Sequence, residues 1–141
     1  MSQHLAGVRD SLYAQSFMRT LGVEVVEIAP GRVVLDLPYR DDLCQQNGFV
    51  HAGAVTSVAD SACGYAALTL MPTGSDVLSV EFKVNLLSVA AGDRFRATAT
   101  VVRSGRTLTV CSCEVHAIAD GEPTKLVALM QATMIARPET A

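Results

Sequence analysis

The sequence predicts an α+β fold in which an antiparallel sheet wraps around one long central helix, with an extra helix at the N-terminus. Three observations carry this prediction. Residues Gln45–Met71 pass from a polar, Gly-containing loop into a segment whose apolar side chains cover most of the helical circumference, the pattern of a buried helix. Runs rich in β-branched residues precede and follow that segment, separated by turns short enough to make antiparallel neighbours. A chain of 141 residues holds one well-buried core and not two, so residues 1–141 are expected to be a single domain.

Taken in order, Val8, Leu12, Phe17 and Leu21 lie near helical spacing and predict an amphipathic helix over residues 5–20. Val23–Ile28 and Arg32–Leu37 flank Ala29-Pro30-Gly31, whose Pro-Gly pair predicts a hairpin. The central helix follows and ends before Pro72 and Gly74, because proline disfavours helix in its predecessor and glycine accepts a reversed φ. Val77–Leu87, Asp93–Arg103, Arg106–Ala119 and Lys125–Ala136 are then expected as successive antiparallel strands. In the first of these Leu78, Val80, Phe82, Val84 and Leu86 should share a core face, leaving Ser79 on the other unless a bulge or a subunit boundary intervenes. The strands from Arg106 and Lys125 carry apolar residues on both faces (Val110 and Cys111, Leu129 and Met130), which predicts a covering neighbour on the outside of the sheet.

Composition narrows the function. Half the residues are hydrophobic, only 18% are charged and the mean hydropathy is +0.31, a high apolar share for a small monomer, so other subunits are expected to cover part of it. A net charge of −3 and a pI near 5.5, without a basic stripe, argue against nucleic acid. Polar residues interrupt the central apolar run too often for a membrane span, and MSQHLAGVRD lacks the features of a signal peptide, so a cytoplasmic protein is expected. Cys44, Cys63, Cys111 and Cys113 fit reduced packing residues in that compartment. The Cys111-x-Cys113 pair with His116 is half a zinc site at best, so no metal is expected.

The serine-hydrolase elbow, the phosphate-binding loop and the paired-histidine zinc motif are absent. Between Asp42 and Asp76 the only formal charge is Asp60, set in the apolar helix. Such a carboxylate costs several kcal/mol in desolvation unless it is hydrogen-bonded, paired or beside a wet cleft, which makes Asp60 a candidate base or nucleophile. The first turn of a helix has unpaired N–H groups at the positive end of its dipole, so the Ala52 and Gly53 amides are suited to a developing oxyanion.

Gln45-x-x-Gly48-x-x-His51-Ala52-Gly53, then Asp60, then Ser79 in Leu78-Ser79-Val80-Glu81-Phe82, resembles the phenylacetyl-CoA-thioesterase-type branch of the hotdog-fold acyl-CoA thioesterases. The resemblance runs from about Leu21 to Ala136. It implies a hotdog fold and Asp60 as general base or nucleophile. The Ala52 amide, with Gly53 beside it, is implied as oxyanion donor, His51 as the residue that orients that turn, and Ser79 as the group that positions the water or the carboxylate. The branch's loop asparagine falls at Gln45, with Asn47 as a rival. Arg103-Ser104-Gly105-Arg106 is implied as the turn that meets coenzyme A phosphates, a role for which guanidinium groups are well suited. Many relatives have His-Gly-Gly where this chain has His51-Ala52-Gly53, and a backbone donor survives the methyl group if φ stays negative.

Ala52 and Asp60 are eight residues apart on one helix, about 12 Å at ~1.5 Å per residue, too far for both to reach one carbonyl. Either one assignment is wrong or the site is shared across a two-fold axis between antiparallel helices. The expected protein is therefore an acyl-CoA thioesterase without a cofactor, a homodimer with shared active sites that pairs again into a homotetramer. A non-catalytic acyl-CoA-sensing module is the alternative, and a hydratase on the same fold ranks third.

Overall fold

The N-terminal helix expected over residues 5–20 is broken. In the computed structural model, which describes residues 2–137, α1 spans Gln3–Ala14 and α2 spans Ser16–Leu21, separated by Gln15 in an extended conformation (φ −73°, ψ 109°). The break resets the helical phase. Val8 and Leu12 of α1 and Met18 and Leu21 of α2 are buried, whereas Phe17, placed on the apolar stripe by spacing alone, is 49% exposed. Gly22 then caps α2 in the left-handed region (φ 77°), open to a residue without Cβ, and turns the chain into the sheet.

Strands β1 (Glu24–Ala29) and β2 (Arg32–Pro38) form the expected hairpin around Pro30-Gly31, with Gly31 at φ 75°. A single turn of 3-10 helix at Asp41–Leu43 leads into the Gln45–Val50 loop, and the central helix α3 occupies Ala52–Leu68. From Val55 onward most of its side chains are buried, and small residues such as Ala59, Ala62 and Ala66 let the sheet approach its axis. Thr69 ends the helix: its hydroxyl donates to Ala66 O (2.6 Å) and accepts from Gly31 N–H (2.8 Å), which fastens the hairpin turn to the helix end.

Strands β3 (Asp76–Leu86), β4 (Arg94–Ser104), β5 (Leu108–Ala119) and β6 (Glu122–Arg137) complete a six-stranded antiparallel sheet in the order β1-β2-β4-β5-β6-β3. It curls around α3. The expectation that all four later strands would neighbour their successors fails for β3, which pairs with β6 at the sheet edge while β4 pairs with β2. The connection between them crosses the ends of the intervening strands and satisfies its backbone on the way: Leu87 N–H donates to Val127 O (2.8 Å), Asp93 N–H to Ile118 O (2.8 Å) and Tyr39 N–H to Asp93 O (2.9 Å). A short connection can thus still be a crossover.

The register of β3 also departs from strict alternation. A bulge at Val80 separates Ser79, opposite Met134, from Glu81, opposite Thr133. Before the bulge the odd positions Val77 and Ser79 share the face of buried Met134; after it the even positions Phe82, Val84 and Leu86 share the face of buried Ala132, Met130 and Ala128. One extra residue moves the inward set by one. Much of the apolar surface expected in the core is exposed on this edge strand, including Leu78 at 47% and Val80 at 52%.

Cys111 and Cys113 point into the core, while His116 lies on the outer face opposite Arg96 and beside Glu114, so the C-x-C pair and the histidine diverge. On that outer face Leu129 is open and Val110 half-buried. The same face holds Asp36, 1% exposed, which accepts hydrogen bonds from Arg96 Nε and Nη2 (both 2.8 Å) and from Arg94 Nη1 (2.9 Å). Burial pushes the Asp36 carboxyl up, but the hydrogen bonds and charges of Arg96 and Arg94 outweigh it and hold the group below the usual carboxylate range.

Replacing Asp36 with alanine leaves two guanidinium groups facing each other and is expected to cost about 2–3 kcal/mol at neutral pH, at or below the range for a fully buried pair because both arginines are partly exposed. Since the folded-state pKa is depressed, this stabilisation is complete above the ordinary carboxylate value of about 3.9 and is lost as pH falls through the lower folded value. Urea unfolding across that range should show the difference between wild type and Asp36→Ala narrowing as acid is added.

Candidate active site

Asp60 lies on α3, half-buried, and the bulge in β3 brings Ser79 to it: Ser79 Oγ donates to Asp60 Oδ1 at 2.7 Å, with Met134 Sδ 3.3 Å from the same hydroxyl. Both residues line a hollow of about 210 Å³. Of the ways such a carboxylate can be tolerated, this chain uses a hydrogen bond and a place at the edge of an open hollow. The opposite wall comes from the N-terminal helices. Ser61, next to Asp60, donates to Gln15 Oε1 (3.4 Å), and the Tyr65 hydroxyl donates to Ser11 O (3.2 Å). Burial pushes the Tyr65 phenol up, so it remains a neutral donor.

The other half of the predicted chemistry sits at the start of α3. His51 is the N-cap, and its Nδ1 accepts from Gly53 N–H at 2.7 Å; Ala54 and Val55 N–H both turn to His51 O (3.0 and 3.4 Å). Ala52 N–H has no acceptor among the described residues. Of the two amides expected to face an oxyanion, Gly53 is therefore committed to the cap and Ala52 is open. A Cβ at Gly53 would stand 3.0 Å from His51 Nδ1, so glycine gives the imidazole room to cap, and Ala52 keeps a negative φ.

Gln45 stays with Ala52. Its Oε1 accepts from Asn47 and Phe49 N–H, folding the loop back on itself, and its amide nitrogen has no acceptor among the described residues. Gln45, Phe49, Ala52 and Val55 line a second hollow, of about 170 Å³, together with Leu86 and Val127. Asn47 is exposed and does not line it.

The Arg103-Ser104-Gly105-Arg106 turn joins β4 to β5. Gly105 N–H donates to Leu108 O at 2.8 Å, and a Cβ on Gly105 would meet that oxygen at 2.4 Å, so the turn closes only on glycine. Arg106 borders a hollow of about 480 Å³ with the Pro72–Ser75 loop, and Arg103 stands outside it. The structure thus gathers Asp60 with Ser79, Gln45 with Ala52 and His51, and Arg106 with the loop after α3. It does not bring the first two groups together within one chain.

Gln15, Ser61, Ser11 and Tyr65 are additions that spacing did not point to. Their contacts join residues 46 and 54 positions apart and leave no local pattern.

The chain is a member of the Thioesterase superfamily, whose family description matches residues 47–124. It is similar in structure to a thioesterase family protein from Silicibacter pomeroyi, with a TM-score of 0.89 and 51% identity over 93% of this chain and 96% of that one. Human acyl-coenzyme A thioesterase 13 is 29% identical over 77% of this chain and 79% of its own length. The fold is also that of the E. coli PaaI protein from the phenylacetic acid degradation operon, with a TM-score of 0.81 and 22% identity over 95% of this chain and 94% of that one. These matches place the six-stranded sheet and its central helix in the hotdog class.

His51→Ala removes the side-chain cap of α3 and is expected to lower stability by about 1 kcal/mol, while His51→Asn, which caps equally well, should restore most of it. Chemical denaturation of the three proteins measures this.

Proposed function

We propose that the protein is an acyl-CoA thioesterase that hydrolyses an acyl- or aryl-CoA to the free acid and coenzyme A. The observation that carries this reading is the Asp60 carboxylate, oriented by the Ser79 hydroxyl at the edge of a hollow. A binding or sensing module has no use for a hydrogen-bonded carboxylate there. Asp60 removes a proton from water, or attacks directly, as the thioester carbonyl carbon becomes tetrahedral; the carbonyl oxygen takes up negative charge, and an open helix-terminal amide stabilises it. Collapse breaks the C–S bond: where water attacks, coenzyme A leaves as the thiol with the proton that Asp60 took up, and where Asp60 attacks, it leaves as the thiolate and water then hydrolyses the acyl–Asp60 anhydride to the free acid.

Ala52 is the donor, held ready by the His51 cap and assisted by the Gln45 amide. Since Ala52 and Asp60 are about 12 Å apart along one helix, the donor that serves a given Asp60 belongs to a second copy of the chain. The exposed apolar side chains of edge strand β3 favour a partner on that edge, where an antiparallel copy brings its α3 start to the first chain's Asp60. Open apolar residues on the outer face, Val102 and Leu129 among them, favour a further contact between dimers. Arg106, bordering its hollow, is the member of the β4–β5 turn best placed for coenzyme A phosphates.

A thiol-release assay over aryl-, short-, medium- and long-chain acyl-CoAs tests the reading. Asp60→Asn nearly preserves shape and should keep the fold while lowering kcat by at least about a hundredfold. Turnover within a few-fold of wild type would remove Asp60 from the chemistry and favour the sensing module.

A further inference from the structure

Gln15 breaks the N-terminal helix without a local cause. It is neither proline nor glycine, glutamine ranks among the better helix formers, and its side chain makes no cap bond to α2. The helix nevertheless parts here, and Gln15 takes an extended conformation between the two pieces. The contact made at the break is remote. Gln15 Oε1 accepts from Ser61 Oγ at 3.4 Å, although a serine inside a helix can bond the carbonyl four residues before it. Ser61 is 9% exposed and directly follows Asp60, so the contact anchors the Gln15 carboxamide beside the carboxylate.

Gln15 and Asp60 line the same hollow of about 210 Å³, and their remaining polar atoms are complementary. Ser79 occupies Asp60 Oδ1, whereas Oδ2 accepts from no group among the described residues. With its oxygen engaged by Ser61, Gln15 is left with Nε2 as a donor, and that nitrogen has no acceptor among the described residues. The two groups do not bond each other, and the hollow they share has room for several waters at about 30 Å³ each. A water attacking a carbonyl needs both. The carboxylate takes its proton, while the amide donates to one lone pair of its oxygen and leaves the other to attack.

We propose that Gln15 positions the attacking water, donating to it from Nε2 while Asp60 removes its proton. The inference rests on the thioesterase reading, and of the two routes open to Asp60 it selects proton removal over direct attack. The water oxygen bonds to the thioester carbonyl carbon as its proton passes to Asp60 Oδ2. The C–S bond then breaks, and that proton leaves on the sulfur. On this account the helix break is the device that delivers the amide donor to α3.

Two variants and one spectrum test the role. Gln15→Met keeps the length of the side chain and loses both polar atoms, whereas Gln15→Glu keeps an oxygen for Ser61 and loses the donor. Both should fold, because the native side chain is exposed and caps nothing. Thiol release should show kcat lowered at least about tenfold in each variant with KM within about twofold, the sign of an interaction made as the water attacks. In protein labelled with nitrogen-15 at glutamine, the Gln15 side-chain amide resonance should shift as the Asp60 carboxyl titrates. That shift should vanish in Asp60→Asn and persist in Asp76→Asn, the other carboxylate on the lining. Wild-type kcat in folded Gln15→Met, a loss confined to KM, recovery in Gln15→Glu, or an amide resonance indifferent to Asp60 would each overturn the proposal. If the resonance follows Asp60 but wild type cleaves no thioester, the pairing of Gln15 with Asp60 stands and the thioesterase reading fails.

Discussion

The fixed rise of an α-helix is the constraint on which the rest of this structure depends. Helix α3 carries both an open first-turn amide and the hydrogen-bonded carboxylate, and its geometry holds them about 12 Å apart whatever the surrounding sheet does. The features around it serve one end or the other. His51 caps the start and occupies Gly53 N–H, leaving Ala52 open, while Gln45 folds its own loop into a wall beside that amide. Further along, the bulge in β3 turns Ser79 inward to the Asp60 carboxylate. Each chain thus presents two separate halves of the proposed site, and two antiparallel helices are the simplest way to unite them.

The sheet fits that division. Strand β3 joins the sheet through β6 on one side, and its other edge is open and rich in exposed apolar side chains, an arrangement that invites pairing with another chain. The opposite side of the sheet is stiffened by Asp36, whose two arginine partners bind β4 to β2 across the outer face. The β3–β6 register and the Ser79–Asp60 hydrogen bond hold those two residues together, and the open edge of β3 lies beside their hollow. The N-terminal helices close the remaining side, where Ser61 and Tyr65 of α3 reach Gln15 and Ser11.

How much of this was legible in the sequence depended on whether the cause was local. The central helix was legible because its apolar residues run nearly all round, and the β1–β2 hairpin because Pro30-Gly31 is a turn by chemistry. Asp60 stood out as one charge in an apolar run, and strict alternation put Ser79 on the far face unless a bulge or a subunit boundary intervened; the structure has the bulge. The break at Gln15 was not legible. Val8, Leu12, Phe17 and Leu21 fit one continuous stripe, and the contact that accompanies the break, with Ser61, lies 46 residues away. The placement of β3 beside β6 was hidden for a similar reason: the connection to β4 is short, but the strand ends it crosses are set by the whole sheet. The commitment of Gly53 N–H to His51 depended on a side-chain rotamer that spacing does not specify.

The central claim, that the oxyanion donor and the base come from different chains, is tested most directly by subunit complementation. Asp60→Asn removes the base. Ala52→Pro removes the donor at the first helical position, where proline is tolerated, and His51 already has the extended conformation (φ −61°, ψ 138°) that a residue before proline prefers. Each variant alone should be nearly inactive. If the two are unfolded and refolded together, random pairing makes half the dimers mixed, and each mixed dimer has one site with both lesions and one with neither, so activity should return to about a quarter of wild type. A mixture that has demonstrably exchanged subunits yet stays as inactive as its parents would contradict the shared site.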